Sequence, residues 1–213
     1  MKNIFATLIC VSVSVGLACA SPVTVFNSLT AADQWDGYTV QNSTWGWSSV
    51  YGSFSVFSTD FSLESVDVAL LATKPTDGGS LNLGLYTDSG TAPGTLVGSL
   101  GTIADASLGT TTSDYDFSLA NPLALAPGRY WVGISSVDDS SAAWSMAKDI
   151  SGAGVLNEYY GDTADGYYAN NYSGYPYAFR MDVAGADAPE PSTILLGAFG
   201  LALLAAYRRR AVA

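Results

Sequence analysis

Apolar and polar positions alternate with a period of two along most of this chain, in short runs. LNLGLYT sets Leu81, Leu83 and Leu85 on one face and Asn82, Gly84 and Tyr86 on the other. YDFSL repeats the pattern with Tyr115, Phe117 and Leu119, RYWVGISS with Tyr130, Val132 and Ile134, and YAFRMDV with Tyr177, Phe179, Met181 and Val183. Each run predicts a strand with one buried face. GSFSVFSTDFSLESVDVALLAT predicts two more, one around 54–57 and one around 66–71 that begins near Phe61, with a change of phase between Leu63 and Val66 that a bulge absorbs. Turn clusters separate the runs: KPTDGG (74–79), TDSGTAPG (87–94), ANPLALAPG (120–128) and a Ser/Gly-rich piece around 150–154. Residues 155–171, rich in Tyr, Asp, Gly and Asn, are the least strand-like and predict a long surface loop or irregular hairpin. Short strands without helical crossovers or a fixed repeat predict an all-β fold, an antiparallel β-sandwich of jelly-roll type.

Both ends break this pattern. MKNIFATLICVSVSVGLACA has a charged start at Lys2, an apolar stretch over 4–17 and small residues at Ala18 and Ala20, the layout of a secretory signal peptide cut after Ala20. Both cysteines, Cys10 and Cys19, lie in that leader, so the expected mature domain has no disulfide and must rely on its core. At the other end APEPSTILLGAFGLALLAAYRRRAVA joins Pro189, Glu190 and Pro191 to an uncharged run over 193–207 and then to Arg208, Arg209 and Arg210. The run predicts a single transmembrane helix with its arginines on the cytoplasmic side. Such a helix reaches only about 22 Å at ~1.5 Å per residue, short of a ~30 Å hydrocarbon core, and makes a poor permanent anchor. The expected domains are therefore a leader over 1–20, a sandwich over 21–187 and a tail over 188–213.

Charge narrows the function. Between the two ends the basic residues are Lys74, Arg129, Lys148 and Arg180, and the whole chain carries −11 with a pI near 4.1. Nucleic acid is excluded as a partner, since phosphate binding requires a basic surface. Without histidine there is no imidazole base for a Ser-His-Asp triad. Catalysis by two carboxylates, as in a secreted glycosidase, stays open in principle, yet nothing singles out a pair, and the expectation is a non-enzymatic protein. No cofactor is expected apart from calcium, whose candidate oxygen donors are Asp138 and Asp139 in VDDSS and Asp162 and Asp165 in YGDTADGYY, with Asn170 and Asn171 nearby. The same carboxylates also serve turns by bonding local backbone. A glycan platform is the second candidate surface. Trp45 and Trp47 would share one face of a strand, and Tyr167, Tyr168 and Tyr172 belong to a crowd of tyrosines that also includes Tyr159, Tyr160, Tyr175 and Tyr177. Core filling is the competing role for such rings.

Two resemblances follow from these motifs. The succession SLESVDVAL, LNLGLYTDSGTAPGTLV and LALAPGRYWVGI resembles the choice-of-anchor extracellular domains of bacteria, within them the type R-like form. That likeness implies a β-sandwich and carries no catalytic residue. The Pro-Glu-Pro, short apolar span and terminal arginines resemble the PEP-CTERM sorting signal of Gram-negative bacteria. This second likeness implies export by Sec-type machinery and transient inner-membrane anchoring. It also implies cleavage near Pro189–Pro191 by an exosortase transpeptidase, then delivery to the cell surface or outside, with association to extracellular polysaccharide and biofilm. The leading expectation is a surface or matrix protein; a carbohydrate-binding module and a glycosidase-like enzyme are the alternatives.

Overall fold

The alternating runs form strands where the pattern puts them. A computed structural model of the chain describes residues 22–29, 35–41, 48–57, 61–76, 78–162, 168–173 and 175–185. Among these, the strands are β1 (Val23–Asn27), β2 (Trp35–Gln41), β3 (Ser49–Val56), β4 (Phe61–Ala72), β5 (Ser80–Asp88), β6 (Pro93–Ala104), β7 (Ser113–Leu125), β8 (Gly128–Val137), β9 (Ser141–Met146), β10 (Tyr159–Asp162), β11 (Tyr168–Asn170) and β12 (Phe179–Gly185). Two single-turn 3-10 helices, Asp105–Ser107 and Asn171–Ser173, are the only helical elements among the described residues. The leader and the tail, with the cut site at Ala18 and Ala20 and the helix expected at 193–207, lie outside them. No helix among the described residues is long and apolar enough to cross a membrane.

Pairing is antiparallel throughout and makes two sheets. Strands β2 to β9 lie in the order β2-β9-β4-β7 in one sheet and β3-β8-β5-β6 in the other, which is the jelly-roll order. Strand β4 carries β7 on one edge; on its other edge β9 pairs with Leu70–Ala72 and β12 with the rest, and β1 adds to β12. This is the first sheet. The second is widened beyond β3 by the β10–β11 hairpin. Within the stretch over 155–171, the described residues of β10 and β11 pair antiparallel and form a sheet edge.

Inward residues of the two sheets meet in one core. Leu81, Leu83, Leu85, Val132 and Ile134 from the second sheet face Val66, Val68, Phe179, Met181 and Val183 from the first, all buried. Aromatic stacks set its centre: Phe26 on Phe179 at 4.1 Å between ring centroids and Trp144 on Tyr177 at 4.6 Å. The Trp144 indole N–H donates to the Ala178 carbonyl at 3.0 Å, so its one polar atom is paired. Contacts gather Ser21–Ala186 into one unit.

Three places show how local sequence was resolved. The expected bulge in β4 is present: the register shifts between Leu63 and Ser65 against both β7 and β12, and this restores the inward phase for Val66. The turn predicted over 120–128 is corrected, because β7 continues to Leu125 and leaves only Ala126 and Pro127 between strands. Residues 119–122 bulge away from Glu64 there, so Pro122, which lacks an N–H, needs no ladder bond, while Leu125 returns to the core. Strands β1, β2, β6 and β9 lie where no strand is expected from sequence; β9 is buried on both faces and shows no alternation.

Candidate functional site

The outer face of the second sheet gathers aromatic side chains around glycines. Its register aligns Tyr168, Gly161, Tyr51, Gly133, Gly84 and Ser99 across six strands, β11 to β6. One pair of residues along, Trp131 faces Ser53 on one side and Tyr86 on the other, and Tyr86 faces Leu96. In the opposite direction Ser49, Ser135, Asn82 and Thr102 form a polar row. Alternation along each strand turns all these side chains away from the core.

The glycines make room for rings above the sheet. A Cβ at Gly133 would stand 2.4 Å from Tyr51 and 2.8 Å from Tyr86, whose rings meet edge to face over it at 5.4 Å. A Cβ at Gly84 would reach within 2.9 Å of Leu96 and 3.0 Å of the Tyr86 ring. Tyr168 from β11 leans in from the side, edge-on to Trp131 at 5.1 Å and to Tyr51 at 6.3 Å. Trp131 is thereby fully buried although it points outward, and its indole N–H donates to Asp88 at 2.8 Å. Burial and the neighbouring Tyr51 phenol push the Tyr86 hydroxyl up from its ordinary value. Burial, with Tyr51 and Asp162 adding to it, pushes Tyr168 up to about 12. Both phenols are neutral hydrogen-bonding groups at physiological pH.

Beside this aromatic cluster lies a half-open cavity of 280 Å³, lined by Asn82, Leu83, Gly84, Tyr86, Leu96, Ser99, Thr102 and Ser135. Its size is close to the lower end of small-molecule sites, about 300 Å³. The Tyr86 and Leu96 side chains supply an apolar wall. Thr102 donates to the Asn82 carboxamide oxygen at 2.8 Å, which fixes the amide and leaves its N–H groups unused by that bond. No lining residue is charged. The charges bordering the face are committed elsewhere. Glu158, which is buried, accepts from Ser53 and from Arg129 Nε at 3.1 Å, and the Arg129 guanidinium lies 4.7 Å over the Tyr159 ring.

The outer face of the first sheet is different in kind. Asp67 stands opposite Asp116 and Arg180, and Arg180 binds Asp67 at 2.7 Å and Asp182 at 3.0 Å. Burial pushes the Asp67 carboxyl above its ordinary range against the pull of Arg180, and Asp116 adds repulsion. Ser118 donates to Asp116 and Thr24 to Asp182, both at 2.6 Å, so this carboxylate cluster is an internally bonded surface network.

The residues singled out by sequence are dispersed over the fold. Tyr168 joins the aromatic face and Tyr159 borders it, whereas Tyr172 is exposed on the 3-10 turn after β11. Tyr177 fills the core, and Tyr160 meets it edge-on from the inner side of β10. Asp138 and Asp139 are exposed at the β8–β9 turn, where Asp138 has a φ of 57°. Asp162 ends β10, buried. Among the described residues no three acidic side chains gather closely enough to hold one ion. Trp45, Trp47, Tyr167 and Asp165 lie outside the described residues, as do Pro189, Glu190, Pro191, Arg208, Arg209 and Arg210. Sequence reasoning missed Tyr51, Tyr86, Trp131 and the Asn82 groove as a site.

Comparison with known proteins bears on the tail and on the fold. Residues 187–211 match the PEP-CTERM protein-sorting motif. The motif marks an exported protein, recognised by an exosortase and sorted to the cell envelope or surface. No curated protein sequence matches the chain. Among solved structures, the cysteine protease and lectin-like domains of Cwp84, a surface layer associated protein of Clostridium difficile, are similar over 65% of this chain and 33% of that one, with 12% identity and a TM-score of 0.45. A propeptide-cleaved form of clostridial Cwp84 is similar over 70% and 37%, again with 12% identity and a TM-score of 0.45. The chain spans about a third of the length of those structures.

Proposed function

Starting from a chain addressed by a PEP-CTERM sorting motif, we propose a non-enzymatic surface protein that exosortase processing releases from the inner membrane into the extracellular polysaccharide of a biofilm matrix. The observation that carries this reading is the match over 187–211, which comprises Pro189, Glu190, Pro191 and all three terminal arginines in order. The protein is the substrate in that reaction, and exosortase is its partner. A net charge of −11 suits a soluble exported domain, and a chain without histidine has no imidazole base for catalysis.

Fractionation of the source cells tests the proposal. The protein is expected with the polysaccharide-rich outer fraction in wild-type cells and with the inner membrane when the exosortase gene is deleted. Recovery in the inner-membrane fraction of both strains would contradict it.

A carbohydrate-binding module is the second reading, favoured by the aromatic and amide-lined outer face of the second sheet.

A further inference from the structure

We propose that the groove along β5, between Ser135 and Leu96, is a binding subsite for a neutral polysaccharide chain. The inference deepens the surface-protein reading, on which it rests, by naming the ligand class and the residues that meet it.

Three properties of the groove select that class. A pyranose offers an apolar ring face and a rim of hydroxyls, and the groove offers the same division in reverse. The Tyr86 ring and Leu96 make one wall, and Leu96 is 55% exposed with no protein partner covering it to that extent. Asn82, Ser99, Thr102 and Ser135 provide amide and hydroxyl groups on the other sides. Rings of sugars stack on aromatic faces while side-chain donors and acceptors fix their orientation.

Charge decides between neutral and acidic sugars. The lining is uncharged, and Arg129 is engaged by Glu158 and Tyr159. No cation in the groove would offset the loss of hydration of a uronate or sulfate, and the net charge of −11 repels either. The half-open shape admits a chain passing over the sheet, so an internal unit of a polymer can enter. Rigidity comes from the setting. The subsite stands on paired strands, its glycines leave the space that the Tyr51 and Tyr86 rings fill, and Thr102 bonds the Asn82 amide oxygen before any ligand arrives.

The full chain, purified in detergent, is run by affinity electrophoresis through gels containing hydroxyethylcellulose, laminarin, soluble starch, galactomannan or alginate. Retardation by at least one of the four neutral polymers and none by alginate is expected. Asn82→Ala and Leu96→Ala, both at exposed positions, are each expected to raise the dissociation constant at least tenfold with an unchanged melting temperature. Three results would overturn the subsite: retardation by alginate alone, no retardation by any neutral polymer, or neutral-polymer binding undiminished in both variants. Fractionation keeps the two readings apart. Variants that still reach the matrix without binding in the gel remove this subsite as the means of retention and leave the sorting account standing, whereas retention of tail and protein in the inner membrane removes the sorting account.

Discussion

Asp105 shows what a single residue does for this fold. It is fully buried, accepts from the Ser140 hydroxyl at 2.7 Å and from the Ser141 N–H at 2.9 Å, and so fastens the segment after β6 to the β8–β9 turn. Hydrogen bonds to a buried charged acceptor contribute about 1.5–3 kcal/mol each, so Asp105→Ala should lower the free energy of unfolding by about 3 kcal/mol in urea titration. Glu158→Ala removes the partner of Arg129 and Ser53, and a loss of about 2–3 kcal/mol is expected, below the ~3–5 kcal/mol of a fully buried pair because Arg129 reaches solvent. Acid behaviour centres on Asp67. Its folded value lies above the ordinary 3.8, so the folded protein binds this proton more tightly than the unfolded chain does. That contribution is complete below pH 3.8 and is lost as pH rises through the raised value, and Asp67→Asn should abolish this part of the stability profile. Tyr168 acts likewise at the alkaline end: its contribution is present below the ordinary 10.0 and lost as pH rises through about 12. Tyr168→Phe should flatten that decline in melting temperature. None of these residue roles was visible in sequence. Asp105 and Glu158 read there as two of nineteen acidic side chains, and only the register across distant strands reveals their partners.

At the scale of elements, β5, β8 and β12 were legible in sequence, whereas β1, β2, β6 and β9 were not. β5, β8 and β12 alternate because one side of each meets the core and the other does not. In β9, Ala142, Ala143, Trp144 and Ser145 are all buried, so SAAWSM carries no period to read. In β6 the glycines at 94, 98 and 101 and a run of exposed positions hide a strand that pairs along β5 with several register shifts. The same shifts blunt β6 as an edge. The aromatic face was illegible for a related reason. Tyr51, Trp131 and Tyr86 lie far apart in the chain, and their signal, Gly133 beside both the Tyr51 and the Tyr86 ring, exists only once the strands are in register. Gly133→Ala tests that arrangement. Its new Cβ would collide with Tyr51 and Tyr86 while the core beneath stays filled, so a cost of about 1–3 kcal/mol and a red shift of Trp131 fluorescence are expected. Gly37→Ala should act elsewhere and harder, since its Cβ would fall 1.5 Å from the Trp144 backbone oxygen and drive β2 from β9.

On the scale of the whole chain, information about destination and information about structure are kept apart. The sandwich is built on a core without disulfides and presents a bonded acidic network on one outer face and an aromatic face with an uncharged groove on the other. The tail matches a sorting motif and was legible at once, because a linear signal read by another protein must be encoded in consecutive residues. A surface built across six strands has no such requirement. The account as a whole rests on the tail being removed during delivery, and the intact mass of the protein recovered from the extracellular matrix of its own host tests this most directly. A mature chain that begins at Ser21 and ends near Pro189–Pro191 is the predicted result; a matrix protein whose mass still includes Arg208, Arg209 and Arg210 would contradict it.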